Sequence, residues 1–185
     1  MKSLYLIFPL FLIFSCQQNP QSNKTINDDH KIIDSLPKDN LNIRNQIDSS
    51  KVKEWLTTTI LNFFQNENQD MQQITTAEYY EFKMDAMNVD MGSQGSLSEQ
   101  EFIKKWGNKY NLQLHPIQTG FLISGQDWGK ISLKDISVKK INQSQNSIVY
   151  RLIIRDDEFQ VDYDRDITVV QNNGQNLISD VLEYD

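Results

Sequence analysis

Cysteine is nearly absent from this chain of 185 residues. The single one, Cys16, excludes an internal disulfide and a cysteine-built zinc site. Histidine is almost as scarce. His30 and His115 lie 85 residues apart, a poor basis for a histidine-built metal centre or triad, and no nucleophile-elbow sequence is present. Positive charge is short as well: 18 Lys and Arg stand against 25 Asp and Glu, a net charge of −7. That balance argues against a phosphate-tracking nucleic-acid binder and against adsorption to anionic lipid, since both rest on clustered cations. There is also no apolar run of membrane-spanning length. The run at 4–14 (LYLIFPLFLIF) has eleven residues with Pro9 inside, and as a helix it would cover only about half of a ~30 Å hydrocarbon core.

What that run does fit is a secretion signal. Met1 and Lys2 give a short positive start, the apolar stretch follows, and polar sequence begins just after Ser15-Cys16. Ile13-Phe14-Ser15-Cys16 resembles a bacterial lipobox, in which the cysteine is lipidated and becomes residue one. Phe14 stands where a small residue is usual, as in the relaxed form of Bacteroidetes-type lipoproteins. The chemistry is consistent, because a thiolate is the strong nucleophile needed for diacylglyceryl transfer and acyl chains such as palmitate supply membrane affinity. The resemblance implies a signal peptide at 1–15, a lipid anchor on Cys16 and, because Gln17 rather than Asp follows, the outer membrane of the cell envelope. Cleavage removes Lys2, leaving 17 basic against 25 acidic residues, or −8.

Residues 16–48 read as a flexible lipidated tether, rich in Gln, Asn, Asp, Ser and Lys and without sustained helical or strand periodicity. Some 30 such residues reach roughly 30 Å. Asp28, Asp29 and His30 within it are better read as solvated than as a metal cluster.

Residues 49–185 are of a size to form one α+β domain. Val52, Trp55, Leu56, Thr59, Ile60, Phe63 and Phe64 carry the apolar stripe of a core-facing helix. A second helix is expected from the capping box Thr75-x-x-Glu78, through Tyr79, Tyr80, Phe82, Met84 and Met87. A third follows Ser98-x-x-Glu101 and carries Phe102, Ile103, Trp106 and Tyr110 until His115-Pro116 stops it. Beyond Thr119 the period shifts towards two. The expected strands are 120–124, 130–142, 147–155, 158–171 and 175–184, with turns at 143–146, 155–158 and 172–174, forming an antiparallel meander with helices on one face.

Helices followed by such a meander, closing on Leu177-Ile-Ser-Asp180-Val-Leu-Glu-Tyr184, resemble the nuclear-transport-factor-2-like superfamily over about residues 50–185. The resemblance implies a curved antiparallel sheet wrapped over N-terminal helices, a cone with a pocket between sheet and helices. Members include enzymes, ligand binders and oligomerisation modules, so the fold does not choose the function.

Four groups of residues can carry chemistry. The loop 90–101 resembles an EF-hand calcium loop: Asp90 at position one, Gln94 at five, Gly95 at the turn, Ser96 at seven, Ser98 at nine and Glu101 at twelve. Gly92 offers no ligand at position three and Gln94 lacks a charge, so the simpler reading, a capping box after a Gly/Ser loop, is preferred. Calcium is the one cofactor the sequence suggests. Asp162, Asp164 and Asp166 alternate onto one strand face, read as a solvated surface paired with cations such as Arg151 and Lys139. Asp127, beside Trp128 in a glycine-containing stretch, is a candidate pocket acid, although a bulge or turn is the plainer reading. His115 is a candidate general base with Asp127, against the plainer reading of a loop residue.

Three functions follow. The favoured one is a lipid-anchored, non-catalytic domain that binds a small ligand or a protein partner, with no nucleic acid involved. The others are a calcium-stabilised structural module built on the 90–101 loop, and an isomerase- or hydratase-like enzyme using a pocket acid. The first predicts an apolar pocket without convergent ionisable groups; the last requires Asp127, His115 or Asp162 to meet inside one.

Overall fold

A computed structural model describes residues 47–65, 70–125 and 127–184. The leader, Cys16 and all but the last two residues of the tether lie outside these. Four helices precede four strands: α1 (Ser49–Gln65), α2 (Met71–Ile74), α3 (Ala77–Met87), α4 (Glu99–Trp106), β1 (Ile131–Asn142), β2 (Ser147–Asp156), β3 (Val161–Asn172) and β4 (Gln175–Glu183). Among the described residues no helix is long and apolar enough to cross a membrane.

The stripe expected of α1 is the face it buries. Val52, Leu56 and Ile60 are fully enclosed, and each contributes about 1.5–3 kcal/mol by leaving water. The domain begins slightly earlier than 49: Ile47 is in the core, and Asp48 Oδ1 accepts from Ser50 N at 3.0 Å to cap α1. The capping box expected on Thr75 and Glu78 does not form. Thr76 is the N-cap of α3, its Oγ1 accepting from Tyr79 N at 3.2 Å. Thr75 Oγ1 instead donates back to Met71 O at 2.8 Å, closing α2, a single turn not expected from periodicity. The box at Ser98 and Glu101 forms as expected, and α4 stops at Trp106 with Gly107 as C-cap, so Tyr110 lies beyond the helix.

The strands pair as an antiparallel meander in the order β1-β2-β3-β4. Ile148, Tyr150, Leu152 and Ile154 of β2, Ile167 and Val169 of β3, and Ile178 and Val181 of β4 form the buried inner face against the helices. Alternation puts Arg151 and Asp166 on the other side. The sheet is open and flat, which overturns the expected nuclear-transport-factor-2-like cone. The reason is visible in the register. β2 and β3 pair without interruption from Ser147↔Val170 to Asp156↔Val161, and the register shifts that would bend a sheet occur only in β1 and between β3 and β4. Residues 120–124, expected as a strand, form bends outside the sheet, with Leu122 at φ 69°.

The two borders of the sheet differ. β4 is covered, since Thr76 N donates to Ile178 O at 2.8 Å and Thr75 bridges Ile178. Among the described residues no strand pairs with the outer side of β1, which is irregular, with two register shifts and Asp135 at φ 52°.

Candidate functional site

A cleft of about 590 Å³ opens between the helices and the irregular segment that precedes β1. α1 supplies Phe63; Asp70 and Met71 come from the start of α2; Tyr80, Met84 and Met87 from α3; Asn88 and Met91 from the turn after it. The opposite wall is built by Gln118, Thr119, Gly120, Phe121, Ile123, Gly125 and Trp128. No strand residue lines it, so the expected pocket between sheet and helices is replaced by one between helices and loop. Its aromatic floor is connected: Phe63 meets Phe121 edge-on at 5.1 Å, and Phe64 meets Trp128 at 5.4 Å.

The loop wall has no ladder of backbone hydrogen bonds, and buried charges hold it instead. Lys83 Nζ donates to Glu183 Oε1 at 2.9 Å and to Thr119 Oγ1 at 3.2 Å. Arg165 Nε donates to Leu122 O at 2.9 Å, and its Nη2 lies 3.4 Å from both Ser124 Oγ and Glu183 Oε2. Lys83, Arg165 and Glu183 are all buried. Burial pushes the Lys83 ammonium below the ordinary lysine value, and Glu183 opposes that shift. Beside them lies Tyr79, whose hydroxyl is buried without a hydrogen-bond partner. Burial, then the carboxylates of Asp180 and Glu183, drives this phenol well above its usual value and keeps it neutral.

The expected pairing of His115 with Asp127 does not occur. His115 is buried, its Nδ1 2.7 Å from the Asn111 carbonyl and its Nε2 2.7 Å from Asp180 Oδ1, with the ring edge-on to Phe82 at 5.0 Å. It ties the 111–115 segment to β4. Asp127 is exposed and does not line the cleft. Its neighbour Trp128 donates from Nε1 to Phe64 O at 3.3 Å. Asp162 is exposed on the outer face of the sheet, 3.0 Å from Arg155 Nη1. There too, Arg151 approaches Asp164 at 3.3 Å and Asp166 at 3.5 Å, and Lys139 also reaches Asp166. The acidic stretch is thus matched by cations across the strands, as the plainer reading held.

The geometry of the 90–101 loop gives no basis for the EF-hand resemblance. Glu101 turns back to accept from Ser98 N at 2.9 Å and Ser98 Oγ at 2.7 Å, so its carboxylate closes the helix cap instead of facing Asp90. The Ser98 hydroxyl, then its backbone N–H, holds that carboxyl below the usual range. Ser96 Oγ donates to Asn88 O and accepts from Met91 N at 3.2 Å, while Asp90 and Gln94 are exposed. Among the described residues no three His, Cys, Asp or Glu side chains are grouped to hold a metal. The physical cause is the missing ligands at positions three and five, which leave the capping box as the loop's strongest interaction. Cys16, the expected lipidation site, lies outside the described residues.

Compared with known proteins, the chain matches no family model, no curated protein and no solved structure. The likeness to the nuclear-transport-factor-2-like superfamily and to Bacteroidetes-type lipoproteins therefore carries nothing further.

Several of the residues that shape the site escaped the sequence reading, although its patterns contained them. Lys83 falls on the buried stripe Tyr79, Phe82, Lys83 and Ala86; Arg165 and Glu183 alternate with the inward Ile167 and Val181. A charge in a core position was the available signal. What the cleft can do follows from its lining. Among the described residues its lining holds one carboxylate, Asp70, which accepts from Gln72 N at 3.0 Å to cap α2, and no imidazole, amine, guanidinium or thiol. That surface can enclose an apolar molecule but does not assemble an acid–base pair.

Proposed function

We propose that this chain is a non-catalytic binding module, tethered to the cell envelope through Cys16, whose cleft takes a small, uncharged and largely apolar ligand. One observation carries the reading: a cleft of about 590 Å³, lined by methionine and aromatic side chains, in which the one carboxylate among the described residues is already used as a helix cap. The volume is that of a site for a drug-sized molecule. Met84, Met91 and Trp128, three of the large apolar side chains most exposed to water, stand at it, which a domain without a ligand there would have reason to avoid. The anchoring rests on the leader at 1–15 and the cysteine that follows it.

Titration with a neutral naphthylamine fluorophore tests the binding. Saturable one-to-one enhancement is expected, weakened at least tenfold by Met84→Arg, which places a charge at the exposed side of the cleft and leaves the core intact. Absence of saturable binding, or indifference to Met84→Arg, refutes the reading. Fractionation of cells expressing Cys16→Ser tests the anchor: the protein should leave the membrane fraction.

A further inference from the structure

The cleft differs from the core in its choice of apolar side chain. The chain has five methionines, and apart from Met1 all of them, Met71, Met84, Met87 and Met91, line this one cleft. The core is otherwise built from isoleucine, leucine, valine and aromatic residues, with Met71 the one methionine among the buried hydrophobic side chains described. Packing does not account for two of the other three. Met84 and Met91 are 37% and 61% exposed, so filling the interior is not their role. Met84 and Met87, at i and i+3, share the cleft side of α3, and Met91 reaches the same cleft from beyond the turn that follows it.

Leucine would give this surface a similar volume and hydrophobicity. What methionine adds is a flexible arm and a soft, polarisable sulfur. Flexibility serves an apolar ligand. The sulfur serves a different guest, because thioethers favour soft cations, Cu(I) among the biological metals, over the hard ions that seek carboxylates. The surroundings agree with that selectivity. Among the described residues the lining contains no histidine or cysteine to draw Zn(II), and the one carboxylate there is committed to α2. Tyr80 and Trp128 add π faces to the same walls, which favour a desolvated cation.

We propose that the four methionines form a thioether site for a soft monovalent cation, Cu(I) or its chemical analogue Ag(I). This goes beyond the apolar-ligand reading and does not depend on it, since replacing methionine by leucine removes the sulfur while keeping the surface apolar.

The test uses the full chain carrying Cys16→Ser, which removes the one thiol, in detergent and chloride-free buffer. Ag(I) is titrated and followed by native mass spectrometry, with Zn(II) as the control ion. One Ag(I) per chain and no Zn(II) are expected, with affinity falling at least tenfold in Met84→Leu/Met91→Leu and binding lost when Met71 and Met87 are also changed to leucine. The double variant alters two solvent-exposed positions, and its melting temperature checks folding. Selenomethionine-labelled protein gives a second readout that needs no variant: absorption at the selenium edge should show a silver neighbour. No stoichiometric Ag(I), undiminished binding in the leucine variants, or selenium without a silver neighbour overturns the proposal. Loss of Ag(I) with naphthylamine binding retained in the leucine variants separates the sulfur site from the apolar one.

Discussion

Removing the charge of Glu183 should cost this domain more than removing any surface ion pair. Glu183 is the one acidic side chain in hydrogen-bond reach of both Lys83 and Arg165, and all three are buried. Glu183→Gln keeps the shape and deletes the anion, leaving an ammonium and a guanidinium close together away from water. Breaking a buried pair in this way costs about 3–5 kcal/mol. For a domain of roughly 140 residues, 1 kcal/mol moves the melting temperature by roughly 3–4 °C, so a fall of about 9–20 °C is expected. Adding Lys83→Met removes the ammonium that has lost its carboxylate, so the double variant should recover part of the loss, with a coupling of about 0.5–3 kcal/mol. Urea melts of the wild type, both single variants and the double variant measure this. Alkaline pH gives an independent check. Burial lowers the Lys83 value, so below pH 10 the unfolded chain binds more protons and stability should rise with pH. Above pH 10 the raised value of Tyr79 acts in the opposite sense, because there the folded state holds the extra proton. Glu183→Gln removes the group that opposes the Lys83 shift and should steepen the rise. Glu183→Gln within 1 kcal/mol of wild type, or strictly additive variants, would refute the electrostatic account of the loop wall.

Tyr79→Phe deletes a buried hydroxyl that makes no hydrogen bond, so stability should change by less than about 1 kcal/mol or increase, as read by urea denaturation. Leu152→Ala, at the centre of the inner sheet face, should cost about 2–5 kcal/mol in the same assay. Ser98→Ala opens the capping box and should cost about 0.5–2 kcal/mol. The Glu101 carboxyl lies below its ordinary value in the folded state, so its contribution is present at neutral pH and fades as pH falls through that lowered value. A carboxyl NMR titration should show the depression and its loss in Ser98→Ala, with no response to millimolar Ca²⁺ in either protein.

The elements were legible where one local signal dominated. The stripe from Val52 to Phe64, the box at Ser98 and Glu101, and the alternation through β2 and β3 each place a helix or strand because burial and capping act on neighbouring residues. The flatness of the sheet was not legible, because curvature depends on where register shifts fall between strands distant in sequence. Nor was the wall at 119–125. Its short apolar run reads as a strand, but its partners Lys83, Arg165 and Glu183 lie 36 or more residues away in sequence. The cleft was expected only as an apolar pocket; Met84 and Met87 read as part of a helix, and nothing in the sequence joined them to Met71 and Met91, which the fold brings to the same walls. His115 shows the same limit in reverse, since its aspartate is Asp180 on the last strand rather than the nearer Asp127.

The free border of the sheet bears on how copies of this protein can meet. A strand arriving at β1 from another molecule needs a straight row of amides and carbonyls in step with its own, and the shifts after Lys134 and Val138 break that row. Lys130, Lys134, Lys139 and Lys140 add like charge along the same border, Ile136 O is already taken by Lys53 Nζ at 2.7 Å, and the far border is closed by Thr76. Growth of the sheet from one molecule into the next is therefore opposed along β1 and interrupted at Ile178 on β4, so crowding many copies together should favour neighbours over fibres.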